Sequence, residues 1–395
     1  MLETLLTPET RTDPYPFYRR VFDRGPVFAA ADGFFVVSGF EEASALLKNP
    51  AFGHGEPEVL PDPHENEPVD ERGRVVRSFL ALDPPDHTRL RRLVSKAFTP
   101  RMIEQLAPRI GELAKELVAK ALEMGEFDLM TEIAKPLPVV VISEMLGVPL
   151  ADRERFEGWS HAMGRALDPS FLIAKETVAA AVAARREFVA YFRELAKERR
   201  KRPTGDLFSD LVSVSDEGDR LSEGELVITA MLLLVAGHET TTNLIGNGIL
   251  ALLNHPEQHR KLAEDRSKIP NAVEEMLRYD SPVQLTTRLA LRDTTIGDET
   301  VGEGAQAVVL LGAANRDPRT HESPDSFDVD RPSPRHLALG QGIHFCLGAP
   351  LARLEGRTLF EALLGAGRVF HQTADPAWVK QVTLRGLESL RLEFA

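Results

Sequence analysis

The ten residues Leu339-Gly340-Gln341-Gly342-Ile343-His344-Phe345-Cys346-Leu347-Gly348 set the chain's one cysteine among glycines and directly ahead of a helix-like run. No other stretch restricts the possible folds as much. Taken alone, an unpaired cysteine is usually a small buried hydrophobe. Its neighbours argue otherwise. Gly340 and Gly342 can adopt positive φ and let the backbone approach a large planar ligand, where a Cβ would clash. Gly348 clears space on the other side. The next residues, Ala349-Pro350-Leu351-Ala352-Arg353-Leu354-Glu355, carry an early proline and leucines three apart, the start of an amphipathic helix. The Cys346 sulfur therefore precedes a helix N-terminus, where unpaired amides and the positive end of the macrodipole favour an anionic thiolate fit to ligate a metal. Amide hydrogen bonds to such a sulfur also tune a metal's reduction potential.

This run resembles the heme-binding cysteine loop of the cytochrome P450 family, F-G-x-G-x-H-x-C-x-G, at every fixed position but the first, where Leu339 replaces the phenylalanine. The resemblance implies Cys346 as the thiolate ligand of the iron of heme b and Gly348 beside that cofactor, with Leu339 tuning the shielding and polarity of the heme.

Three further motifs follow the family's order. In Leu233-Leu234-Val235-Ala236-Gly237-His238-Glu239-Thr240-Thr241-Thr242, a glycine and three threonines weaken a helix centre, and a bond from Thr240 back to the Ala236 carbonyl would bend or open it. The segment is similar to the family's A-G-x-[D/E]-T run. By that resemblance Thr240 hydrogen-bonds dioxygen, Glu239 relays protons, and Ala236 lies against the heme. Glu275-Met276-Leu277-Arg278 is an E-x-x-R with its charges at i and i+3. Such pairs are usually solvated and contribute little; the family joins this one to a third residue, here Arg331, as a structural lock. Finally, His87, Arg91, Arg288 and His344 occupy the family positions that hold the two heme propionates, since buried carboxylates need paired charge. His87 and Arg91 are four apart after an Asp83-Pro84-Pro85 turn, and Arg288 follows an expected strand at Val283 to Thr287.

Periodicity gives a helix-rich chain, with long helices expected at Ile103 to Met124, Thr177 to Arg202, Glu223 to Asn254 and Pro350 to Leu364. Short strands are expected at Phe34 to Val37, Thr295 to Ile296, Ala307 to Leu310 and the C-terminus. The fold implied by the resemblance is mainly α with small β-sheets, the heme lying between a long central helix and the cysteine-loop helix, in a single cytochrome P450 domain over 1–395.

Nothing in Met1 to Arg11 resembles a signal peptide, and the longest apolar stretch, Leu226 to Gly237, falls short of the ~20 residues of a membrane span. A lone cysteine excludes an internal disulfide framework and fits a reducing compartment. The expectation is a cytoplasmic protein without a membrane anchor, implied to be a monomer. A net charge of −13 argues against nucleic-acid binding. Against that acidic average, Arg89, Arg92, Lys96 and Arg101, with Arg353 and Arg357, suggest a basic face. The chain shows no flavin, nucleotide or iron–sulfur motif, so its electrons are expected from an acidic ferredoxin or flavodoxin with an NAD(P)H-dependent reductase.

By family position the substrate pocket draws on Phe79, Leu80, Leu233, Ala236, Val283, Gln284, Leu285 and Leu384, with Trp159, Met163, Phe171 and Leu172 in a lid. This apolar lining suits a hydrophobic small molecule such as a polyketide, macrolide, terpenoid, steroid or fatty acid. The reading is a monooxygenase that inserts one atom of O2. A peroxide-driven enzyme, a noncatalytic heme-binding sensor and a helical protein without heme are its rivals.

Overall fold

The computed structural model describes residues 2–30, 33–56, 68–70, 74–168, 172–216 and 218–394. It is mostly helical with small sheets, and its residues group into two compact units. One comprises 1–53, 107–137 and 240–395; the other comprises 54–106 and 138–239.

The first unit holds a five-stranded sheet in the order Val27–Ala29, Phe34–Val37, Gln306–Leu310, Leu285–Ala290, Phe52–Gly53. Only the pairing of Phe34–Val37 with Gln306–Leu310 is parallel. Val37, Phe40, Leu47, Phe52, Ala307, Val309 and Leu337 form a buried cluster around this sheet. Burial of side chains of this size stabilises by ~1.5–3 kcal/mol each for the larger aliphatics and aromatics. The helices Ile269–Tyr279 and Ala349–Gly365 (the cysteine helix) share this unit with the C-terminal half of a 32-residue central helix, Glu223–Asn254. Gly248 sets their spacing: a Cβ there would lie 2.7 Å from the Met276 sulfur and 2.9 Å from Phe360.

The second unit is built on aromatic packing. Phe156 and Trp159 of helix Arg153–Gly164 meet Phe188, Tyr191 and Phe192 of helix Lys175–Lys201, with centroids 5.0 to 6.0 Å apart. Such pairs add ~0.5–1.5 kcal/mol each beyond burial. The N-terminal half of the central helix belongs here, and Gly237 admits Ile142 against its backbone. The division between the units falls within the helix, between Glu239 and Thr240.

The central helix has the bounds expected from its periodicity and runs as α-helix through Gly237 to Thr242. Burial along its length outweighs the weak local propensity. The strand expected from Val283 instead begins at Leu285 and continues to Ala290. Val283 and Gln284 are diverted to the C-terminal segment, through a bridge from Val283 to Leu384 and a bond from the Gln284 amide to the Thr383 carbonyl of 2.8 Å. The helix expected from Ile103 begins earlier and spans Pro100–Met124, tolerating Pro108 inside it.

Candidate active site

In the first unit, the cysteine loop is shaped by its glycines. Gly340 and Gly342 have φ of +68° and +69°, a region that residues with a Cβ enter only at a cost. The Cys346 amide donates to the Leu339 carbonyl at 2.9 Å, and the Gly340 amide to the Leu337 carbonyl at 2.8 Å. Both are backbone bonds, so leucine at 339 leaves the loop closure intact. Cys346 is half-buried, and Gly348 caps the cysteine helix; a Cβ at 348 would stand 3.9 Å from the sulfur. His344 ends a short 3-10 turn from Gly342.

In the same unit, Glu275 and Arg278 are fully buried. Arg278 donates to the two Glu275 carboxylate oxygens at 2.7 and 2.8 Å and to the carbonyls of Asn315, Pro324 and Ser326. All five guanidinium donors are thereby used. Arg331 adds two contacts of 3.1 Å to Glu275. The three residues are one buried charge cluster, not a solvated pair.

Glu274, which the sequence reading passed over, forks onto Arg353 of the cysteine helix at 2.6 and 2.8 Å and meets His336 at 3.1 Å. Burial favours its neutral form, but Arg353 and His336 outweigh it and hold the carboxyl down at about 2. Arg353, expected as a partner-facing cation, is thus neutralised within the protein. Arg288 is buried on its strand, with a nitrogen 2.7 Å from the Thr287 carbonyl. Leu285 and Leu384 are buried and Val283 half-buried. Gln284, expected against substrate, has both ends of its amide engaged instead: Tyr18 donates to its oxygen at 2.8 Å, and its nitrogen donates to the Ser281 carbonyl at 2.7 Å.

In the second unit, His87 is buried on helix Asp86–Ala97, and Arg91 follows one turn later. Phe79 joins them, its ring 6.5 Å from the His87 ring and 5.4 Å from the Arg91 guanidinium. Leu80 is 46% exposed. Arg89 departs from the docking expectation, since Glu225 and Asp219 bind it. Arg92 and Lys96 are exposed. Leu233 is buried, Met163 and Leu172 are half-buried, and Phe171 lies outside the described residues. Trp159 belongs to the aromatic cluster, with its indole donating to Glu187 at 2.9 Å.

From Leu226 to Leu250 the central helix is buried at every residue except Leu232, Ala236, Gly237, Glu239 and Thr240. Spaced by three or four, these make one accessible stripe on one face. Glu239 lies on it, with His238 Nε2 at 3.4 Å and His161 Nδ1 at 3.8 Å from the same carboxylate oxygen. Burial pushes the Glu239 carboxyl up, but the two imidazoles prevail and hold it well below the usual carboxylate range. His238 Nδ1 is 3.0 Å from the Leu234 carbonyl and 3.2 Å from the Ser160 hydroxyl. His238 was visible beside Glu239 in the sequence; His161, from a separate helix, gave no local signal.

Among the described residues no three His, Cys, Asp or Glu side chains gather closely enough to hold a metal ion by themselves. A lone thiolate in a glycine-shaped loop fits a metal that arrives with its other ligands in place, as iron does in a porphyrin. A helix-rich protein with such a loop, a buried Glu-Arg-Arg cluster and an acid–threonine pair on a long helix is of the heme-thiolate class.

The chain belongs to the cytochrome P450 family, whose model matches residues 64–381. It is 39% identical over 375 residues to cytochrome P450 CYP107DY1 of Priestia megaterium, covering 91% of this chain and 90% of the relative. It is 42% identical to the vitamin D(3) 25-hydroxylase of Pseudonocardia autotrophica, covering 91% of this chain and 86% of that one. The bacillaene polyketide synthase cytochrome P450 PksS of Bacillus subtilis superimposes with a TM-score of 0.87 at 38% identity, over 99% of each chain. The protein is a P450 monooxygenase, an oxidoreductase, and its family implies a heme-thiolate cofactor, O2 and a redox partner. Among the described residues no helix is long and apolar enough to cross a membrane.

Proposed function

We propose that this chain inserts one oxygen atom from O2 into a C–H bond or alkene of a bulky hydrophobic molecule of the polyketide or steroid type. NAD(P)H electrons reach it through a ferredoxin or flavodoxin, in the cytoplasm, and it works as a monomer with 1–395 as one domain. The observation that carries the reading is the accessible stripe at Ala236, Gly237, Glu239 and Thr240 on a helix otherwise buried from Leu226 to Leu250. The substrate class is supported by the relatives named for vitamin D(3) and for a polyketide synthase.

Heme b, when bound, supplies the redox chemistry that activates dioxygen. Cys346 is its thiolate ligand. His87, Arg91, Arg288 and His344 offset the charge of its propionates. Ala236 and Gly348 offer it surfaces without bulky side chains. The Thr240 hydroxyl donates a hydrogen bond where oxygen binds, and Glu239 supplies protons to that hydroxyl. Phe79, Leu233, Ala236, Val283, Leu285 and Leu384 exclude water and hold the apolar substrate. Leu80 joins this set from its exposed position, and Gln284 serves the scaffold. Glu275, Arg278 and Arg331 hold the region that carries the loop.

The test is the carbon monoxide difference spectrum of the dithionite-reduced protein, beside Cys346→Ser. A strongly red-shifted Soret band in the parent and its loss in the variant support thiolate ligation through Cys346. The same spectrum in both overturns it. Oxygen consumption that depends on NAD(P)H, a surrogate ferredoxin and an added hydrophobic compound separates the monooxygenase from a sensor and from a peroxide-driven enzyme.

A further inference from the structure

We propose that His161 is the solvent-side member of the proton path, passing protons to Glu239 and so acting through it rather than at the reacting atoms. The proposal rests on the reading of Glu239 and Thr240 given above.

Exposure falls along the three groups: the His161 side chain is 55% exposed, Glu239 20% and His238 5%. The two imidazoles approach one oxygen of Glu239, but they are placed differently. His238 is tethered through Nδ1 to the Leu234 carbonyl and the Ser160 hydroxyl, with only Nε2 turned to the carboxylate. Enclosed in this way, it can hold the charge of Glu239 but has no ready exchange with water. Among the described residues the ion-pair partner of His161 is Glu239. Its helix also lies close to the carboxylate, since a Cβ at Gly164 would stand 3.5 to 3.6 Å from Glu239 Cγ, Cδ and Oε1. A methyl group at 164 would thus rest in ordinary van der Waals contact with the acid. On the same helix the charged neighbours one turn away from His161 are Glu157 and Arg165, both exposed.

Histidine is the side chain that changes charge between about pH 5 and 8. In the step proposed, the Nδ1–H bond of the His161 imidazolium breaks and an O–H bond forms on Glu239. At 3.8 Å this passes through one water or follows a small rotation of the ring. His161 is left neutral and recovers a proton from solvent. Glu239 gives its proton to the Thr240 hydroxyl as that hydroxyl releases its own proton towards the reacting oxygen, so Thr240 stays neutral and Glu239 returns to the carboxylate, the form that His238 favours.

The experiment uses the heme-loaded protein with NADPH, a plant-type ferredoxin and its reductase, without added substrate. It reads hydrogen peroxide formed per NADPH oxidised from pH 5.5 to 8.5, for the parent, His161→Gln, His161→Lys and Glu239→Gln. The parent peroxide yield should be low at pH 6. His161→Gln should show a yield at least about threefold higher at pH 6 and nearly flat with pH, well below the ~100-fold scale of a direct general acid. His161→Lys, still cationic throughout, should stay low and flat. The reduced carbon monoxide spectrum should be the same in all four. If His161→Gln keeps the parent's yield and pH profile while Glu239→Gln raises peroxide, His161 is not on the path and the proposal falls alone. If Glu239→Gln also leaves the yield unchanged, the acid–threonine reading itself fails.

Discussion

Gly342 faces the carbonyl of Leu47 so closely that a Cβ at 342 would lie 2.3 Å from the oxygen, and its φ of +69° already lies in the left-handed region. Gly340 has nearly the same φ, +68°, but its nearest neighbour would stand 3.6 Å from an added Cβ. Alanine at 340 should therefore cost only the ~1–2 kcal/mol of a left-handed residue. Alanine at 342 meets the same cost and must also displace backbone, moving the loop that carries Cys346. Gly342→Ala should lose most of the red-shifted carbon monoxide band while Gly340→Ala retains it. Equal heme content and spectra in the two variants would count against the steric account.

The cysteine loop and the central helix were legible because their chemistry is local: glycines, a cysteine and a helix start within a few residues, and a helix whose bounds follow from apolar periodicity. What was not legible depends on partners distant in sequence. Arg353 and Arg89 read as surface cations, because nothing nearby announces that Glu274 and Glu225 will neutralise them. Gln284 read as pocket lining, because Tyr18 lies 266 residues away. His161 escaped notice for the same reason.

Glu275 accepts from Arg278 and Arg331 and from the amide of Asp328, with no part of its side chain exposed. Glu275→Gln would leave the fully buried Arg278 guanidinium without its counter-ion. Breaking such a pair costs ~3–5 kcal/mol. Arg331, 11% exposed, can turn to water, so Arg331→Gln should cost less. Urea unfolding of the heme-loaded variants should rank Glu275→Gln well below Arg331→Gln in stability, and the reverse order would contradict the cluster.

Glu355 lies one turn and a half along the cysteine helix, 1% exposed, with one carboxyl oxygen lacking a hydrogen-bond partner among the described residues. Burial pushes its acid up to about 8, against a smaller lowering by Thr241. An acid with a folded pKa above its unfolded value binds more protons when folded. Its contribution is therefore complete below the unfolded value of 4.5 and is lost as pH rises towards 8, at up to ~1.4 kcal/mol per pH unit. Glu355→Gln removes that titration. Melting temperatures of parent and variant should be similar at pH 5 and diverge by pH 8.5 in favour of glutamine; parallel profiles would show that Glu355 does not titrate in this way.

Of the cations first grouped as a docking face, Arg89 is held by Glu225 and Asp219, and Arg353 by Glu274. Arg92 and Lys96 are exposed to solvent, one turn apart on helix Asp86–Ala97. An acidic electron donor would be steered by exposed charge, and steering weakens with salt. Reversing both in Arg92→Glu/Lys96→Glu should slow reduction by a plant-type ferredoxin by about tenfold at low ionic strength and flatten its dependence on salt. Arg353→Gln should do neither, and should lower the melting temperature by freeing Glu274. Stopped-flow reduction across a salt series decides between them. Unchanged kinetics in the double reversal, or loss of salt dependence in Arg353→Gln, would place the donor elsewhere on the protein.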